Sequence, residues 1–190
     1  MRIVLASGSP RRRELLEMLG VKNMEIIPAK GEETAPEGLE PGELVKCLAS
    51  GKGREVAALC ASGDVIIAAD TIVWHEGRVY GKPHSRQQAV DMLRSLSGRT
   101  HQVYTGVSVI HAGRELLEYE MSQVSFRPLS EEEIQRYVDT GEPMDKAGAY
   151  GAQGKAALFV RGIQGDFFNV MGLPLCRLGE MLKEQGVGLL

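Results

Sequence analysis

The sequence predicts an α/β protein, and three observations carry that reading. Apolar strand-like runs and amphipathic helical stretches alternate along the chain. Residues 65–74 are apolar on both faces apart from Asp70 and Thr71, the pattern of a central strand covered on both sides. At 190 residues, with 43% hydrophobic and 25% charged side chains, the chain is long enough for a proper core. Residues 1–190 are read as one domain.

Taken in order, residues 2–6 make a first strand. Ser7-Gly8 turns the chain, Ser9 is a natural N-cap and Pro10 a natural first helical residue, and the helix runs to about Leu19 before Gly20. Met24 to Ile27 make a second short strand. Pro28 to Gly42 is a loop carrying Glu32, Glu33, Glu37 and Glu40 against a single Lys30. Glu43 to Cys60 reads as a helix with Leu44, Leu48, Val56 and Leu59 or Cys60 on its inner stripe. After the central strand, Glu76-Gly77 turns the chain, and Gly81-Lys82-Pro83 forms a loop. Ser85 and Gln88 form a capping box before a helix with Ala89, Met92, Leu93 and Leu96 inward. Arg99 to His111 and Arg114 to Phe126 read as a hairpin around Ala112-Gly113, and a shift of apolar phase in the second strand suggests a bulge. Ser130 and Glu133 form a second capping box, and Gly141 with Pro143 ends that helix. Ala156 to Val160 reads as a further strand. Asn169 to Leu173 leads into a last helix with Leu175, Leu178, Met181 and Leu182 inward.

Bulk properties exclude several classes. The net charge of −3 gives no global field for nucleic acid, so any anion site must be a local cluster. No apolar run reaches membrane-spanning length, and the N-terminus has no long apolar stretch of the secretory kind. Cys47, Cys60 and Cys176 suit reduced thiols in a cytoplasm, and the four histidines show no metal-ligand spacing.

Against that background a few residues stand out. Arg11, Arg12 and Arg13 crowd the first turn of a helix whose free N–H groups already make that end positive. Either this is a solvated basic turn, or the N–H groups, the Ser7 and Ser9 hydroxyls and the forked arginines hold phosphate oxygens. Lys52 falls on an apolar helical stripe, either snorkelling out of the core or delivering an ammonium to an interior anion. Asp70 is a carboxylate in a doubly covered strand, which is costly unless paired, hydrogen-bonded or on a metal. Lys82 is held in a Gly-Pro loop. Residues 145–154 are rich in Gly and Ala, either an ordinary glycine loop or a segment open to a flat ligand.

The ordered set of pieces resembles the Maf family of nucleoside triphosphate pyrophosphatases. It comprises Ser7-Gly8-Ser9-Pro10-Arg11-Arg12, Glu33-Thr34, Lys52, Ala69-Asp70-Thr71, Gly81-Lys82-Pro83, Leu96-Ser97-Gly98-Arg99 with His101, residues 145–154, and Gly172-Leu173-Pro174. The resemblance covers essentially the whole chain. It implies a twisted mixed sheet flanked by helices, an inosine-triphosphatase-like fold with a central cleft. It implies hydrolysis of a nucleoside triphosphate to the monophosphate and pyrophosphate with a divalent metal, Mg²⁺ or Mn²⁺. Asp70 matches the family's proposed base, and Lys52 and Lys82 would add charge on the leaving group. Ser7, Ser9, Arg11, Arg12, Thr71 and Gln153 would bind substrate, and Glu33 and Asp70 would hold the metal. The 145–154 segment is similar to the branch acting on dTTP and UTP, and a cytoplasmic homodimer is expected. Gly53, where Ala is commoner, and Ala152, where a larger aliphatic is usual, depart from the pattern. The alternatives are a nucleotide-binding regulator of cell division that does not catalyse, and a phosphatase of monophosphates.

Overall fold

The structure, a computed structural model, describes residues 1–21, 23–31 and 34–189. Among them are seven strands: β1 (Ile3–Leu5), β2 (Glu25–Ile26), β3 (Val65–His75), β4 (Arg78–Tyr80), β5 (Thr100–His111), β6 (Arg114–Phe126) and β7 (Val160–Gln164). Six α-helices accompany them: α1 (Pro10–Met18), α2 (Pro41–Ala57), α3 (Arg86–Leu96), α4 (Glu131–Asp139), α5 (Phe167–Met171) and α6 (Leu175–Glu184). The paired strands follow the order β2-β1-β3-β5-β6-β7, with β4 on β3, so the chain is an α/β fold with a mixed sheet flanked by helices. No described helix is long and apolar enough to cross a membrane.

The chain divides into two compact units, each assembled from separated segments. The first holds residues 1–70, 105–120 and 172–190. Here β1 lies parallel to both β2 and β3, with Leu5 beside Ile26 and Ile67. Val4, Ala6, Val56, Ile66 and Ala68 form a core, with Ile27, Ala57 and Ile110 packed against it. Helix α2 packs on β5 almost backbone to backbone: a Cβ on Gly106 would stand 2.2 Å from the Val45 carbonyl oxygen, and one on Gly53 2.8 Å from Ser108 Oγ. That closeness corrects the expected stripe. The buried positions are Pro41, Gly42, Val45, Ala49, Ser50, Gly53 and Val56, while Leu44 and Leu48 are half-buried and Leu59 is exposed. Small residues face the strand because only they let the helix come so near. The helix also begins earlier than expected, on Pro41, whose missing N–H costs nothing at a helix start.

The second unit holds residues 71–104 and 121–171. Its core joins α3 (Ala89, Leu93, Leu96), α4 (Ile134, Tyr137, Val138) and the aromatic rings of Phe126, Tyr150 and Phe159. His101 belongs to this core. It is 2% exposed, its Nε2 lies 2.7 Å from the Tyr150 hydroxyl, and burial lowers its pKa from 6.5 to about 3. The Ser130–Glu133 capping box is complete. At Ser85 only half of the box forms: its hydroxyl accepts the Gln88 N–H, but Gln88 Oε1 accepts instead from the His84 N–H at 2.6 Å. The expected strand at 156–160 is a 3₁₀ turn over Lys155–Leu158, with β7 only beginning at Val160. The turn forms because the Glu142 carboxylate accepts the Lys155 N–H and so satisfies the first donor of a helical winding. A register shift in the β6–β7 pairing falls between Ser125 and Phe126.

Candidate active site

The first unit gathers the acid and the cationic helix start. Strand β1 runs parallel to β3, and Ala6 donates its N–H to the Ile67 carbonyl at 2.8 Å. The turn at Ser7 therefore leaves the carboxyl end of β1 about where β3, which runs on to His75, reaches Asp70. Ser9 is the N-cap of α1, Pro10 its first residue, and Arg11 and Arg12 lie half-buried in its first turn. The hydroxyl that meets the backbone here is that of the buried Ser7, whose Oγ accepts the Ser9 N–H at 3.2 Å. Arg12 ties both ends of the motif series together. Its Nη1 donates to Ser7 Oγ at 3.0 Å and its Nε to the Gly172 carbonyl at 2.7 Å. Gly172 sits at φ 107°, a conformation that excludes side chains.

Asp70 is 7% exposed. Lys52 reaches it from α2, with Nζ 2.5 Å from Oδ1, and the two side chains are 17% and 10% exposed. The interior anion that Lys52 meets is thus the strand carboxylate. A small cavity of about 90 Å³ adjoins Lys52, lined by Gly31, Thr34, Cys47, Gly51 and Glu55 among others. It has room for a few waters and falls well short of the roughly 300–1,000 Å³ of a pocket that encloses a whole ligand. Glu55 pins the start of the acidic loop above it, accepting the Lys30 N–H at 2.7 Å and the Gly31 N–H at 3.0 Å.

The second unit carries the remaining candidates. Thr71 follows Asp70 on β3 and is half-buried. Lys82 is exposed on its loop, and the preceding Gly81 carbonyl accepts the N–H of Gly148, which has φ 68°. The loop of Lys82 and the segment bearing Gln153 are thereby joined. Gln153 is exposed on a turn closed by a bond from the Gly154 N–H to the Gly151 carbonyl at 3.0 Å. The sequence reads Tyr137 only as part of the apolar face of its helix and Lys146 only as one residue of the 145–154 segment, and it does not single out Glu142 or Glu55, because lone carboxylates at such positions look like ordinary surface.

Glu33, read as a metal ligand, lies outside the described residues. Among the described residues no group of three or more His, Cys, Asp or Glu side chains is placed to hold a metal ion. The donors present fit a hard, oxygen-preferring cation that takes one or two protein carboxylates and completes its shell with water and phosphate oxygens. Asp70 is the described residue that would supply one.

A family model described as Maf-like protein matches residues 2–185. A curated protein of Pelotomaculum thermopropionicum named dTTP/UTP pyrophosphatase is 50% identical over 190 residues, 99% of this chain and 98% of that one. One of the same name from Bacillus anthracis is 49% identical over 183 residues, 96% of this chain and 95% of that one. Among solved structures, the Ham1 protein of Staphylococcus aureus aligns over 97% of this chain and 100% of its own, with a TM-score of 0.53 at 15% identity, a likeness of fold.

Proposed function

The chain belongs to the Maf family, and on that premise we propose that it hydrolyses dTTP and UTP, or modified forms of them, to the monophosphate and pyrophosphate. The observation that carries this reading is the Lys52–Asp70 pair, a carboxylate held at 2.5 Å by an ammonium inside the unit that also bears the cationic start of α1. Hydrolysis at the α-phosphorus calls for in-line placement of water and neutralisation of charge more than for covalent help. Asp70 orients the water and accepts its proton. Lys52, beside it, offsets the negative charge that would otherwise repel the polyphosphate from that carboxylate.

The N–H groups at the start of α1, with Ser7, Ser9, Arg11 and Arg12, grip phosphate oxygens. Lys82 adds a cation toward the departing pyrophosphate. Uracil and thymine present a carbonyl, an N–H and a carbonyl along one edge, and the Gln153 amide offers a matching donor and acceptor, with Thr71 also on the substrate. A divalent cation, Mg²⁺ or Mn²⁺, would be held by Glu33 and Asp70, with one of Asp70's two roles, ligand or base, running indirectly through a water, and when bound it supplies a positive centre that shields phosphate oxygens. We further propose that the 190 residues act as one domain in a cytoplasmic homodimer.

The test is a panel of nucleoside triphosphates, assayed for both pyrophosphate and orthophosphate with Mg²⁺ or Mn²⁺ present. Pyrophosphate and monophosphate in equal amounts, released fastest from dTTP and UTP, is the expected result. Orthophosphate as the main product would overturn it. Binding of UTP without turnover would favour a nucleotide-binding regulator of cell division instead.

A further inference from the structure

Gln153 is exposed, and its turn lies between glycines. A long side chain on a mobile turn adapts to several bases, so discrimination requires the backbone beneath it to be fixed. What fixes it is a pair of side chains packed under the turn. The Tyr137 hydroxyl accepts the Gly151 N–H at 3.2 Å and donates to Glu142 Oε1 at 3.0 Å. The Glu142 carboxylate in turn accepts the Lys155 N–H, at 3.1 and 3.2 Å to its two oxygens. Backbone donors two residues before and two residues after Gln153 are thus held by one Tyr–Glu pair. Burial raises the phenol's pKa well above its ordinary value, so the hydroxyl stays protonated and able to donate.

The glycines are what let these groups come so near. A Cβ on Gly154 would stand 2.3 Å from Glu142 Oε1, and one on Gly151 2.6 Å from Lys146 Cε. Lys146 locks the other side, with its Nζ on the Glu142 carbonyl and on Asp145 Oδ1, both at 2.7 Å. An apolar tyrosine ring and a one-residue turn would suffice to hold a loop in place. Two bonds to a buried hydroxyl and its half-buried carboxylate partner, one from each N–H group flanking a single side chain, set that side chain's position more tightly.

We propose that Tyr137 and Glu142 are specificity-positioning residues: they act through Gln153 to set discrimination between uracil or thymine and cytosine. The inference rests on the pyrophosphatase reading above. It is tested with Tyr137→Phe, which keeps the ring and removes only the hydroxyl, by measuring kcat/KM for UTP and CTP beside the wild-type protein and Gln153→Ala. The expected result is a fall in the UTP:CTP ratio of about fivefold to tenfold, the scale of one lost net hydrogen bond. Adding Tyr137→Phe to Gln153→Ala is expected to lower the ratio no further, since the two act through one group. Glu142→Gln, which keeps the shape and an acceptor for Lys155, carries the same test with a smaller fall, and serves alone should Tyr137→Phe not fold. A unchanged ratio with both rates reduced in parallel would mean a purely structural role and would overturn the inference while leaving the pyrophosphatase reading intact. No pyrophosphate from UTP or dTTP with the wild-type protein would overturn that reading, and the inference with it.

Discussion

Asp70 sits on a strand whose neighbours are apolar, and an unpaired charge there would cost several kcal/mol. Lys52 answers it from a helical position that reads in the sequence as an error of pattern, and that misfit is why the lysine was legible at all. What the sequence could not show is that the anion it meets is Asp70, because no spacing rule links positions 18 apart on a helix and a strand. Removing Lys52 takes the ammonium away from the buried Asp70 carboxylate. Lys52→Met is expected to lower stability by about 1–3 kcal/mol in chemical denaturation, below the figure for a fully buried pair because both side chains keep some contact with water. An unchanged denaturation midpoint would mean that the pair contributes nothing net. Arg12 was legible as a cation but not as a tie. Its bonds to Ser7 and Gly172 join residues 160 apart in sequence, and only the fold reveals them.

At the scale of elements, the long periodic stretches read correctly: α3 and α6 bury the residues their stripes announce. Helix α2 was misread by about one position around its axis because its inner face is built from small residues, and hydrophobic periodicity weighs large side chains most. Close approach of α2 to β5 has a direct consequence. Gly106→Ala would drive a methyl group to 2.2 Å from the Val45 carbonyl, a backbone atom that cannot swing aside. Its expected cost is about 2–3 kcal/mol or more, seen as a lower urea midpoint. A midpoint equal to that of the unaltered protein would show that α2 can back away freely. The turn at 155–158 was read as a strand because its apolar run is short, and its true partner, the Glu142 carboxylate, is supplied from thirteen residues upstream.

For the molecule as a whole, the two compact units could not be read from composition. Three of their four boundaries fall inside continuous strands, between Asp70 and Thr71, Tyr104 and Thr105, and Glu120 and Met121, and the fourth lies between Met171 and Gly172, directly after α5. Global stability should also carry a clear pH signature. His101 is held neutral, with its pKa lowered by burial from 6.5 to about 3, so between those values the unfolded chain takes up a proton that the folded chain refuses. That contribution is complete above pH 6.5 and is lost as pH falls, at no more than about 1.4 kcal/mol per pH unit. Asp64, held down to about 2 by Arg2, and Glu131 and Glu133, held down to about 2 by Arg94 and Arg127, act in the same direction, but only once pH drops below their ordinary values of 3.8 and 4.5. Denaturation midpoints should therefore begin to fall near pH 6.5, and His101→Gln should flatten the curve between 6.5 and 4.5; a variant curve parallel to the original would contradict this assignment. The account rests above all on the Asp70 carboxylate as the base that activates water, and turnover of UTP by Asp70→Asn tests it most directly. The asparagine keeps the shape of the side chain, so the protein is expected to fold and bind UTP while kcat drops by about 10²–10⁴-fold; a folded Asp70→Asn protein that releases pyrophosphate at the original rate would contradict it.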